Sequence, residues 1–385
     1  MTQLPDGRYV DDAPYDPKAA LLEVERKDLD APNWLLVWRK FRTHRLGLVS
    51  GIFLLICYVL LPVAGFIAPY GPNQRHSEHL YSPPQSINLF HEGEFIGPYV
   101  YPLTSHADLE SFQWVFTPDL ENPQKLKFFC EGTEYHIAGL IPSTTHLFCS
   151  PDPAKPVFLW GSDRLGRDMF SRILYGAQLS LTVGLIGITV SFVLGIFFGS
   201  LAGYLGGKTD WVINRVIEVL RSLPELPLWL ALSAAVPSNW SPVTVFFIIS
   251  IILGILDWPG LARAVRAKFL SLREEEFVRA AEMMGASSGR VIRKHLLPNF
   301  MSHLIASATL SIPAMILGET ALSFLGLGLR APAVSWGVML NDAQNLASIE
   351  IYPWTAIPML PIVIVVLAFN FLGDGLRDSL DPYQH

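Results

Sequence analysis

Hydrophobic positions along the chain gather into six long runs, separated by polar stretches of very unequal length. The runs lie at about 47 to 68, 179 to 203, 212 to 236, 243 to 262, 301 to 328 and 353 to 373. Each approaches the ~20 residues that an α-helix needs to cross the hydrocarbon core of a bilayer. The pattern predicts an all-α polytopic membrane protein with six transmembrane helices. The segment between the first two runs, Tyr70 to Phe158, has Pro-rich stretches, scattered aromatics and no sustained period. It is expected to form a small irregular insert with short strands. The chain thus divides into a tail and basic lead-in over 1–46, a first spanning helix over 47–69, the insert over 70–158, and a five-helix core over 159–385 that carries a charged loop at 263–299.

Composition agrees with that reading. Of 385 residues, 51% are hydrophobic and only 16% charged, too apolar a balance for an ordinary soluble protein. The net charge of −6 is small, and the carboxylates concentrate in the N-terminal tail and the insert, so nothing points to a nucleic-acid partner. Residues 1 to 33 are polar and Pro-containing with no apolar core of a signal peptide, and read as a disordered or surface-draped tail.

Where the basic residues sit sets the orientation. Arg39, Lys40, Arg42 and Arg45 crowd before the first run, and Arg263, Arg266, Lys268, Arg273, Arg279, Arg290, Arg293 and Lys294 fill the later loop. The turns at 237 to 242 and 329 to 352 hold only Arg330. By the positive-inside rule both termini and the 263–299 loop are cytoplasmic, and the insert is extracytoplasmic. In that compartment Cys130 and Cys149 are candidates for a disulfide closing a loop of about 20 residues and worth roughly 3 kcal/mol, beside the alternative of two unpaired thiols.

The loop itself holds the most informative stretch, Ser271 to Asn299. Ser271 and Glu274 have capping-box spacing, and Phe277, Ala280, Ala281 and Met284 follow at i, i+3, i+4 and i+7, so a narrow apolar stripe is expected on a charged helix. Gly285 is expected to close that helix in the left-handed conformation. A second short helix is expected over Val291 to Leu297, separated from the next run by Pro298.

The AA-x-x-x-G motif at 280–285, followed by I-R-x-H-x-L-P-N with His295 and Pro298, resembles the cytoplasmic coupling loop of binding-protein-dependent ABC importer permeases. In place of the family's usual leading Glu stands Arg279, which changes the charge at the contact more than its shape. GSDRLGRDMFSR at 161–172, GYLGGKTD at 203–210, ETALSFLGLGL at 319–329 and FNFLGDGLRDSLDP at 369–382 match the same family in order. The resemblance, which covers about 160 to 385 plus the first helix, is to the second permease of the peptide, oligopeptide and nickel class. It implies the type I ABC importer permease fold in the bacterial inner membrane. The partners it implies are a homologous permease, two cytoplasmic ATPases and an extracytoplasmic solute-binding protein, with membrane lipid around the helices. ATP and Mg would sit on the ATPases, with no cofactor on this chain and no covalent chemistry. The solute, whether peptide, opine, oligosaccharide or nickel chelate, is not written in these motifs.

Other features weigh differently. AGYLGGKT at 202–209 imitates a phosphate loop, but Ala202 stands at its first position and a glycine-rich spanning helix precedes it, so nucleotide binding is not expected. Gly187, Ser191, Gly195, Gly199 and Gly203 put a small residue at every fourth position of the second run, which predicts close helix packing, within the chain or against a second subunit. Arg215, Glu218, Arg221 and Glu225 in the third run, Asp257 in the fourth and Glu319 in the fifth are costly in lipid, so they line an aqueous path or close interhelical networks. Glu218, Arg221, Asp257 and Glu319 are the candidates for the translocation path or gate. The insert's histidines, His76 and His79 among them, lack a metal-ligand pattern. The competing reading, an ion-driven transporter or channel without an ATPase, would call for a chain of intramembrane carboxylates or an inverted repeat, and neither stands out.

Overall fold

The computed structural model describes residues 2–3, 9–10, 33–107, 114–237 and 239–380, so most of the expected N-terminal tail lies outside the described residues. Two short strands there, β1 (Thr2–Gln3) and β2 (Tyr9–Val10), pair antiparallel. Helix α1 (Asn33–Thr43) then leads into α2 (Arg45–Ile67), the first of five helices among the described residues that are long and apolar enough to cross a membrane. The others are α3 (Met169–Leu205), α6 (Pro242–Leu272), α8 (Ser288–Phe324) and the segment Pro353–Leu380, whose regular part is α11 (Met359–Leu380).

The third apolar run departs from expectation. Instead of one spanning helix it forms α4 (Gly207–Ser222) and the ten-residue α5 (Glu225–Ala234). Pro224 causes the break: it has no amide hydrogen to donate and disfavours helical backbone in the residue before it, and Leu223 is extended at φ −92° and ψ 139°. Ile213 and Ile217 are buried on one side of α4, Arg215 and Glu218 are exposed on the other, and Arg221 is exposed near the helix end.

The small-residue ladder resolves as packing inside the chain. A Cβ at Gly199 would lie 2.6 Å from the Ala262 carbonyl oxygen, and one at Gly203 would lie 2.7 Å from the Phe269 Cβ, so α3 and α6 approach to backbone contact. Around that pair, Leu54, Leu181, Ile188, Ile312, Ile316, Ile362, Val365 and Phe369 form a buried cluster uniting α2, α3, α8 and the last helix.

Pro298 does not end a separate short helix. Residues 288–324 run continuously, with a π turn at Ile292–Leu296 where the Leu297 amide donates to the Ile292 carbonyl. Widening the helix by one residue there accommodates the proline, which sits in the first turn of the next α segment.

The insert consists of small antiparallel units: β3 (Asn88–His91), β4 (Glu94–Val100) and β7 (Gln124–Lys125) in one sheet, β5 (Leu103–Ala107) with β6 (Trp114–Pro118), and β8 (Lys127–Ile137) with β9 (Ile141–Cys149). A Cys130–Cys149 disulfide staples the last hairpin. Its buried His146 faces the Ala68 carbonyl at 2.5 Å and the Thr133 carbonyl at 2.9 Å, which ties the hairpin to the end of α2. The remaining short helices are α7 (Glu276–Met283), α9 (Trp336–Asp342) and α10 (Leu346–Ile351).

Candidate functional site

The charged loop forms a helical knob whose two sides do different work. Val278 (0% exposed) and Ala281 (3%) face inward, Val278 packed with Val265, Phe269, Val291, Leu296 and Phe300. Phe277, Ala280, Met283 and Met284 face outward, the two methionines more than four-fifths exposed. The expected stripe is therefore corrected at one position. Ala281 belongs to the chain's own core, and Met283, which sequence spacing overlooked, joins the outer face. Val278, 100° around a helix from Phe277, is the inner anchor that would have signalled the split.

Capping of the knob also differs at its start. No capping box forms at Ser271: α6 runs on to Leu272, and α7 begins after Glu275 with no side-chain cap. Glu274 instead accepts from Arg279 at 2.8 Å and Arg273 at 3.1 Å, and the Arg279 contact foremost holds its carboxyl below the usual range. At the other end Gly285 has φ +81°; its amide donates to the Glu282 carbonyl, and the Ala286 amide to the Ala281 carbonyl. That is the paired closure which a left-handed residue makes possible. Tyr204 at the end of α3 donates to Glu282 at 2.6 Å, fixing the knob to a long helix. His295 lies half-buried in the π turn, its carbonyl accepting from Asn299, and Pro298 is exposed beside it.

The candidate path residues separate into two groups. Glu218 is exposed and paired with Arg215 at 2.7 Å, and Arg221 is exposed at the end of α4. The α4–α5 break brings Arg221 and Glu225 into the electrostatic field of Asp257, which is half-buried on α6 and accepts from Ser191 at 2.8 Å. Glu319 is completely buried instead, with Ser323 donating at 2.7 Å, Ser335 at 2.8 Å and Ser180 at 3.5 Å. It joins α3, α8 and the start of α9 and meets no solvent within this chain.

The charged motif at 161–172 forms a buried ionic lock. Asp163 accepts from the backbone amides of Leu165 and Arg167, from Arg167 Nε at 2.6 Å and from Arg172. Asp342, at the end of α9, accepts from Arg167 at 2.7 Å, Arg172 at 3.2 Å and Arg164 at 3.1 Å. Burial pushes the Asp342 carboxyl up, but Arg172 and then Arg167 outweigh it, leaving it below its usual value. Arg172 is 1% exposed. The sequence offered the charges 163–172, but their partner Asp342 is some 170 residues away, and spacing along the chain carries no trace of it.

Asp168 caps α3, accepting from the Ser171 amide at 2.8 Å and its hydroxyl at 2.6 Å. Its burial pushes the carboxyl up to about 6, against the Ser171 bonds that pull it down, from an ordinary 3.8. The native state therefore takes up this proton near pH 6 and the unfolded chain only near 3.8, so stability is gained on acidification between these values and lost as pH rises through 6. Asp168→Asn keeps the cap and removes the titration. In thermal unfolding from pH 7 to 4, wild type is expected to gain stability relative to this variant, and parallel curves would refute the assignment.

The chain matches two family models: the binding-protein-dependent transport system inner membrane component over residues 195–384, and the N-terminal transmembrane domain of oligopeptide transport permease C over residues 33–84. It is similar to the dipeptide transport system permease protein of Bacillus subtilis (strain 168), with 43% identity over 246 residues, 63% of this chain and 71% of that protein. To the oligopeptide transport system permease protein of Haemophilus influenzae (strain Rd) it is 41% identical over 261 residues, 68% of this chain and 78% of that one. Among solved structures, an inward-facing MetNI methionine ABC transporter aligns with a TM-score of 0.42 and 19% identity, covering 55% of this chain and 98% of that one.

Proposed function

The chain belongs to the family of binding-protein-dependent transport system inner membrane components, and from that premise we propose that it is the permease subunit of an ATP-driven peptide importer. The observation that carries the mechanism is the knob: an outward apolar face of Phe277, Ala280, Met283 and Met284 on a helix anchored from behind by Val278 and Ala281. Flexible methionines and a small alanine suit a shallow cleft on another protein. On this reading a cytoplasmic ATPase receives the knob, and its closure on ATP pushes through Val278 and Ala281 onto α6 and α8. The helices then rock between inward-open and outward-open forms. A homologous permease completes the path, and an extracytoplasmic binding protein delivers the solute. This chain performs no covalent step.

In this proposal α4 and α5 together make the third crossing, so that six crossings keep both termini in the cytoplasm of a bacterial inner membrane. Their exposed charges, with Asp257, then face the water-filled path, while Glu319 holds the outer ends of the helices together from inside the protein. Copurification with an ATPase subunit and ATP-dependent uptake of labelled peptides in proteoliposomes test the proposal. Gly285→Val gives the sharper result. A Cβ there meets nothing within 4 Å, so the cost is backbone strain alone, about 1–2 kcal/mol. Uptake is expected to fall while ATP hydrolysis persists, and undiminished uptake would remove the coupling role.

A further inference from the structure

The tip of the β8–β9 hairpin is built unlike a water-exposed turn. Six consecutive residues, Ile137, Ala138, Gly139, Leu140, Ile141 and Pro142, carry no side-chain donor or acceptor. Turns facing water favour Asn, Asp, Ser and Gly, whose side chains or hydrogen atom suit that setting. Here Ala138 takes φ +52° without the polar side chain that usually accompanies that conformation, and Leu140 and Ile141 are 82% and 63% exposed. Going back from the tip, the first titratable groups are His136, Tyr135 and Glu134 on β8, and on β9 none occurs before His146.

The placement of the tip says what covers it. The Ala138 amide donates to the Pro62 carbonyl at 3.1 Å, and Pro62 lies five residues before the end of the Arg45–Ile67 span. At 1.5 Å per helical residue that is roughly 8 Å inside the apolar segment. Gln178 of α3 donates to the neighbouring Leu61 carbonyl at 2.6 Å, so a second long helix fixes the same level. Leu55, Ile56, Val59 and Leu60 are exposed on the last turns of α2, so the tip continues an apolar surface of a membrane helix. The disulfide and His146 hold the rest of the hairpin in place.

We propose that residues 137–142 dip into the acyl region of one bilayer leaflet, making the hairpin a lipid anchor that sets the height of the insert on the membrane. With the orientation proposed above, the leaflet is the outer one; the anchoring holds whichever way the chain is oriented. Leu140 and Ile141 supply the buried apolar surface, and the Gly139 and Leu140 amides donate to the His136 and Ile137 carbonyls within the turn. Polar substitution at the tip would lift the insert without touching the helix core.

Nitroxide labelling at Leu140 reads the depth directly. The full chain carrying Cys57→Ala and Leu140→Cys, purified with the subunits that accompany it, is labelled in lipid nanodiscs and compared with the Cys57→Ala parent. Cys130 and Cys149 are bridged and Cys57 is removed, so the new thiol is this chain's reactive one. Leu120→Cys, also exposed but beside Asp119 and Glu121, is the aqueous control. At Leu140 collisions with oxygen are expected to exceed those with the water-soluble nickel complex NiEDDA, the reverse of the ratio at Leu120. Predominant NiEDDA collisions would overturn the proposal in favour of a water-exposed tip. Exclusion of both reagents would overturn it in favour of a protein partner on the tip.

Discussion

Replacing Asp163 by alanine is expected to lower the stability of the folded chain by about 3–5 kcal/mol, the scale for removing one member of a buried ionic network. Arg167 and Arg172 are 4% and 1% exposed, and each has Asp163 as one of its two carboxylate partners. Without it both guanidiniums depend on Asp342, and the Leu165 and Arg167 amides lose their acceptor. Asp163→Asn restores an acceptor without the charge and should fall between alanine and wild type. Thermal midpoints in detergent would show the order. Indistinguishable midpoints for all three would mean that water reaches the guanidiniums and the lock is not buried. Because Asp342 ends α9 and Asp163 precedes α3, the damage should also loosen the end of the bundle that carries the insert.

The second large effect concerns function with the fold intact. Ala280→Asp places a charge on the exposed face of α7, so the thermal midpoint should not move. If an ATPase covers that face, the charge becomes buried and unpaired, at a cost of about 2 kcal/mol or more, roughly thirty-fold in affinity. ATP-driven uptake and copurification with the ATPase should fall together. Ala281→Asp, one residue on, enters a site only 3% exposed and should destabilise the chain itself. The contrast between adjacent alanines separates docking from folding. Equal stability losses at both would show that Ala280 also faces inward and that the knob presents no such face.

Much of the fold was legible because a bilayer imposes long apolar runs, and five of the six became helices of spanning length. The sixth failed where the rule of length met the rule of proline: hydropathy treats Pro224 as neutral, whereas the backbone treats it as a stop. Gly285 was legible for the converse reason, since a glycine after an apolar–polar helical repeat has a local cause and a local effect. The apolar stripe of the knob was half legible. Spacing of three and four residues finds a face, but only the packing of α6, α8 and α7 decides that Val278 and Ala281 look inward and Met283 outward.

By itself, then, the sequence settled the membrane setting, the positions of most helices, the left-handed stop at Gly285 and the order of motifs. All of these depend on residues close along the chain. The tertiary structure alone decided that Asp342 meets Arg167 and Arg172, that three serines surround Glu319, and that an apolar hairpin tip stands beside Pro62. Apart from Ser323, four residues from Glu319 on the same helix, such contacts join residues 16 to 175 positions apart, and a charge or a hydroxyl in sequence does not reveal which distant partner folding will bring to it.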